Sequence, residues 1–76
     1  MDILVNKELF DFGHANRMEY AIVEWDNCWN YKIEKWNAEG DVCAVVNGTR
    51  SREAFTRNAL FNLVLAEMRI LAGVGA

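Results

Sequence analysis

The chain is predicted to fold as one α+β domain, with a β-hairpin flanked by helices. Three observations point there. A last segment is apolar at helical spacing, a middle segment alternates with the period of a strand, and Gly and Asn clusters punctuate a chain that contains no proline. Seventy-six residues suffice for a single domain over 1–76. A chain of this size buries roughly 60% of the surface its unfolded form exposes. The hydrophobic fraction of 53%, with three Trp, four Phe and two Tyr, argues for an ordered core.

The N-terminal element is expected to be a helix over residues 3–12. Asp2 would cap it and Gly13 would end it in the left-handed conformation, with Leu9, Phe10 and Phe12 facing the core. Residues 16–27 admit two readings. Asn16 and Glu19 can form a reciprocal cap, and Met18, Ile22, Trp25 and Trp29 recur at spacings of four, three and four, so a second helix is preferred. The alternative is a strand from Tyr20 to Trp25 turning at Asp26-Asn27.

Residues 30–37 alternate, with Tyr31, Ile33 and Lys35 on one face and Lys32, Glu34 and Trp36 on the other. The stretch Ala38-Glu39-Gly40-Asp41 makes the turn of an antiparallel β-hairpin. Val42 to Val46 is the second strand, closed by Asn47-Gly48. A long C-terminal helix, capped by Thr49 or Ser51 and ended by Gly73, packs on this sheet. Its apolar residues fall into one stripe of Ala54, Phe61, Leu65 and Met68 and another of Phe55, Ala59, Leu63, Ala66 and Ile70. Asn58, Asn62 and Arg69 lie between the stripes. A helix apolar on most of its circumference is covered on more than one side. The second cover is the N-terminal helix through Leu9, Phe10 and Phe12, a twin chain, or a target protein. Of these, self-association through Phe55, Asn58, Ala59, Asn62, Leu63, Ala66, Arg69 and Ile70, giving a homodimer, is preferred.

Few residues carry chemistry. One His, two Cys outside any Cys-x-x-Cys spacing and the absence of a Gly-rich phosphate loop leave no familiar catalytic constellation. The sole serine, Ser51, reads as a helix cap. No enzyme activity, metal or cofactor is expected, and Cys28 and Cys43 are expected to be buried thiols in a reducing cytoplasm. A secretory signal is not recognisable, and charges interrupt every apolar run short of a membrane span.

Charge is uneven along the chain. Residues 1–41 carry nine acids against four bases, whereas residues 42–76 carry Glu53 and Glu67 against four arginines. The overall charge is −3. An acidic first half suits a protein partner with a basic surface better than a nucleic-acid backbone. Trp25, Trp29, Tyr31 and Trp36 could in principle stack bases, but their stretch lacks the basic groove that would accompany such a platform. Core packing is the preferred role for most of these rings, with an exposed one serving as a protein anchor. Glu19, Glu24, Glu34, Trp36, Glu39 and Asp41 are the expected partner-binding residues.

Three segments carry a resemblance to a known family. They are Asp2-x-Leu4-Val5-x-Lys7-Glu8-Leu9-Phe10, then Ala21-Ile22-Val23-Glu24, then the run from Ser51 to Leu60. Together they resemble the small bacteriophage and prophage proteins grouped as the phage ABA-sandwich domain. The resemblance implies a phage origin and brings no catalytic residues. With the charge distribution, it leads to the expectation of a small counter-defence inhibitor, similar in kind to anti-CRISPR proteins, that blocks a host protein. The alternatives are a sponge for a nucleotide signal and a structural or regulatory phage protein.

Overall fold

The computed structural model describes residues 1–73. The order is β1 (Asp2–Leu4), α1 (Lys7–Ala15), β2 (Met18–Glu24), β3 (Cys28–Trp36), β4 (Val42–Ser51) and α2 (Arg57–Gly73). The four strands form one antiparallel sheet in the order β1-β2-β3-β4. The α+β class and the helix packed on a hairpin are as expected. The sheet is larger, and the helices are shorter, than the sequence led us to expect.

At the N-terminus, residues 2–4 pair with β2 as a short strand, Ile3 lying opposite Val23. The helix starts later, at Lys7. Its cap is Asn6, not Asp2: the Asn6 Oδ1 accepts the Leu9 N–H at 3.0 Å. The Tyr20 hydroxyl fixes this junction by donating to the Asn6 carbonyl at 3.1 Å and accepting the Asn6 N–H at 2.7 Å. Gly13 does not end α1. It stands inside the helix, where a Cβ would lie 2.7 Å from the Met18 carbonyl oxygen, so the missing side chain lets α1 approach β2. The left-handed residue of the exit turn is Arg17, with φ 57°. Leu9 is buried and Phe12 half-buried, but Phe10 is 59% exposed and belongs to the surface.

The preferred helix over residues 16–27 is overturned, and the alternative strand is what forms. A spacing of four puts Met18 and Ile22 on the same side of a strand as well as of a helix, so that spacing could not discriminate. Pairing of β2 along its whole length with β3 decides the matter. The chain turns at Asp26-Asn27, where the Trp25 N–H donates to the Cys28 carbonyl at 2.9 Å.

The β3–β4 turn is as expected from Ala38-Glu39-Gly40-Asp41. The Asn37 Oδ1 accepts the N–H groups of Glu39 and Asp41, both at 3.0 Å, and Gly40 takes φ 86°. Asn47-Gly48, however, is no turn, because β4 runs on to Ser51. Gly48 pairs with Tyr31, and the space a Cβ would need at Gly48 is filled by the Tyr31 ring. The glycine is there for the ring.

Consequently the last helix begins at Arg57, not at Thr49 or Ser51. Ser51 builds the preceding turn, its hydroxyl accepting the Glu53 N–H at 3.1 Å and its carbonyl the Phe55 N–H at 3.1 Å. Thr56 is the cap, its Oγ1 accepting the Ala59 N–H at 3.1 Å.

Both helices cover one face of the sheet, α1 lying on β2 and α2 on β3. The core is Leu9, Met18, Ile22, Trp29, Tyr31, Ile33, Leu60, Val64, Leu65, Met68 and Leu71. Thus α2 buries Leu60, Val64 and Leu71, which belong to neither of the two expected stripes. Asn58, Asn62, Ala66, Arg69 and Ile70 are its solvent side. Phe55, Ala59 and Leu63 are half-buried at its flank, with Phe55 in the turn before the helix.

Among the buried side chains is Lys35, 7% exposed, whose Nζ donates to the Leu71 carbonyl at 2.8 Å. A cation at the C-terminal end of a helix answers both its last carbonyls and the negative end of its dipole. The expectation of buried thiols is not met: Cys28 is half-buried, and Cys43 is exposed next to the irregularity where β3 and β4 shift register at Lys35/Trp36.

Candidate protein-binding face

Among the described residues, no helix covers the second face of the sheet. Alternation assigns its residues. Trp29, Tyr31, Ile33 and Lys35 of β3 point to the helices, so Asn30, Lys32, Glu34 and Trp36 point away. Registers then set the rows. Glu19, Glu34 and Val45 lie side by side; the next row is Ala21, Lys32 and Asn47; the next is Ile3, Val23, Asn30 and Thr49. Trp36 and Val42 pair at the end where β3 turns into β4.

Two carboxylates therefore face each other across adjacent strands. Like charges directly opposite on a sheet destabilise it. Lys32 comes within 3.6 Å of Glu34, with both side chains partly exposed, and such pairs give little. Glu19 and Glu34 thus hold a local negative field next to the half-buried Trp36 ring and the 48% exposed Val45. Carboxylates accept and never donate at neutral pH, and a neighbouring indole face attracts a guanidinium or ammonium. The arrangement is suited to taking up a basic side chain.

Beside it lies a cleft of about 490 Å³ at the end of β1. Ile3, Val5, Phe10 and Trp36 supply its apolar wall, and His14, Arg17 and Glu19 its polar rim. It exists because β1 pairs only three residues and then peels away into α1, so β2 from Met18 to Ala21 has no strand on that side. Phe10 and His14 stack with ring centroids 6.3 Å apart and planes 8° from parallel, which shapes the outer wall.

Of the six residues expected to bind a partner, Glu19, Glu34 and Trp36 come together on this face. Glu39 and Asp41 sit exposed in the β3–β4 turn, at the end of the sheet where Trp36 lies. Glu24 does not join them. It points to the helix side, where the Arg57 guanidinium lies 2.9 Å and that of Arg52 3.6 Å from its carboxylate. Glu24 ties β2 to the start of α2.

The sequence reading did not single out Ile3, Val42 and Val45 as surface residues. Strand alternation and register place them on the open side. Trp25 is exposed at the β2–β3 turn and Trp29 is buried, its Nε1 donating to the Phe55 carbonyl at 3.3 Å.

Among the described residues no cluster of His, Cys, Asp and Glu could hold a metal ion, and no helix is long and apolar enough to cross a membrane. No protein-family model, no curated protein and no solved structure matches the chain.

Proposed function

We propose that the chain is a non-catalytic interaction protein that docks a basic protein surface on the open face of its sheet. The observation that carries this reading is the facing pair Glu19 and Glu34 beside Trp36, on a sheet whose other face alone is covered. A partner's Arg or Lys entering between the carboxylates would remove their mutual repulsion, and the Trp36 ring would supply apolar contact. The resemblance to phage proteins extends the reading. The partner is then a host defence protein, and occupation of its basic surface keeps nucleic acid away, as an anti-CRISPR-like inhibitor would.

A second reading, capture of a small molecule such as a nucleotide signal, has the cleft beside β1 in its favour. Its volume of about 490 Å³ falls in the range of small-ligand sites.

The test is an affinity capture from host lysate with the parent protein and with Glu19→Lys, Glu34→Lys and Trp36→Ala. A protein retained by the parent, lost with all three variants and released by salt supports docking on this face. Glu24→Gln serves as a comparison and leaves capture intact. Retention by the charge-reversed variants overturns the reading, and recovery of a nucleotide without protein favours the second one.

A further inference from the structure

We propose that β4 pairs with β4 of a second copy, so that two sheets join into one across a two-fold axis at Asn47. This inference is independent of the open-face reading.

The hydrogen-bond phase of the sheet follows from three bonds. Trp25 N–H to Cys28 and Trp36 N–H to Arg17, each 2.9 Å, show that Asn30, Lys32 and Glu34 direct their backbone groups to β2. Trp29, Tyr31, Ile33 and Lys35 then bond to β4, and the Arg52 N–H to Asn27 bond of 3.2 Å continues that phase. Their partners are Ala44, Val46, Gly48 and Arg50. The N–H and C=O groups of Val45, Asn47 and Thr49 therefore point outward along an edge that no strand of the described residues covers, whereas the Ser51 carbonyl is taken by the turn before α2.

Natural edge strands are guarded by charge, proline, brevity, a bulge or a covering element. The two edges of this sheet differ in that respect. β1 is three residues long and begins with Asp2. β4 is ten residues long, has no proline and no acid, and its one register irregularity lies near its start. Arg50 is the single charged residue of β4; its guanidinium lies 5.7 Å from the centre of the Tyr31 ring and 6.0 Å from that of Phe55. Its Nη1 donates to the Thr49 carbonyl at 2.9 Å, an oxygen whose second lone pair can still accept from a second strand. On the helix side, moreover, α2 lies over β3, and Ala44 and Val46 remain half-buried.

A second copy fits this edge because the edge is complementary to itself. An isologous two-fold makes the two β4 strands antiparallel. With the axis at Asn47, Val45 lies opposite Thr49 of the second copy and Asn47 opposite its own equivalent. Ala44 lies opposite Arg50, and no like charges meet along the strand. The pairing also extends cover over Ala44 and Val46. Self-association is thereby placed on β4 and not on the α2 surface of Asn58, Asn62, Ala66, Arg69 and Ile70.

Sedimentation equilibrium at micromolar concentration tests the inference through a charge exchange at the axis. Asn47→Lys and Asn47→Asp each place two like charges opposite one another. Each variant is expected to sediment as one chain, while an equimolar mixture recovers the mass of two. Asn62→Glu on the exposed side of α2 is expected to leave the dimer unchanged.

Amide exchange of the parent supplies a readout free of substitutions. The Val45, Asn47 and Thr49 amides are protected in concentrated solution and exchange freely on dilution. A parent chain that sediments singly, Asn47 variants that remain dimeric, or edge amides indifferent to dilution would each overturn the inference.

Discussion

Tyr31 lies across Gly48 on the neighbouring strand, its ring filling the space where a side chain would otherwise stand. The ring is buried and belongs to the core. Gly48→Ala is expected to displace the ring and destabilise the fold by about 1–3 kcal/mol, the range typical of overpacking. Combining Gly48→Ala with Tyr31→Leu should be far less than additive, because the smaller side chain frees that space. Urea unfolding of the two single variants and the double variant measures this. Equal and additive losses would show that the ring and the glycine act separately.

The start of α2 can be tested with two hydroxyls. Thr56→Ala removes the oxygen that accepts the Ala59 N–H and should lower stability by about 1 kcal/mol. Ser51→Ala removes only a turn bond to Glu53 in an exposed segment and should have a smaller effect. The reverse ranking in thermal or chemical unfolding would put the cap at Ser51 and lengthen the helix by about one and a half turns.

Lys35 offers a third measurement. Lys35→Met keeps most of the side-chain volume but withdraws the ammonium from the Leu71 carbonyl. Because hydrogen bonds to charged groups contribute about 1.5–3 kcal/mol, a loss of that order is expected. Faster amide exchange in the last turn of α2 should accompany it. Unchanged stability would mean that the bond merely balances the desolvation of the ammonium.

Cysteine reactivity separates the two thiols. Cys43 is exposed and Cys28 half-buried. A maleimide should modify Cys43 in the native protein well before Cys28, and urea should bring the two rates together. Equal native rates would contradict the placement of Cys28.

Much of the fold was legible in the residues where one period excludes another. The alternation of Tyr31, Ile33 and Lys35 against Lys32, Glu34 and Trp36 admits only a strand, and its open face already contained Glu34 and Trp36 of the candidate site. Met18 and Ile22 failed to discriminate because a separation of four suits a helix and a strand equally. Asn47-Gly48 misled for a different reason. That dipeptide is favoured in turns for its backbone freedom, yet here the glycine serves a cross-strand ring, and only the pairing of β3 with β4 reveals it. Glu19 beside Glu34 was likewise invisible, since adjacency across strands depends on register. Glu24 shared its neighbours' charge but not their face, which the phase of β2 alone decides.

The strand order bears on how the chain reaches this structure. Every neighbour in the sheet is also the next strand along the chain, and two of the three pairings are joined by short turns. Such pairings close small loops, and domains dominated by local contacts fold faster than those that must first bring distant segments together. The β2–β3–β4 meander is then expected to assemble early and to present a template of Ile22, Trp29, Tyr31 and Ile33 on one side. α2, last along the chain, completes the core by condensing onto that template. Substitutions such as Val64→Ala should therefore speed unfolding more than they slow folding, whereas Ile33→Val should slow folding itself.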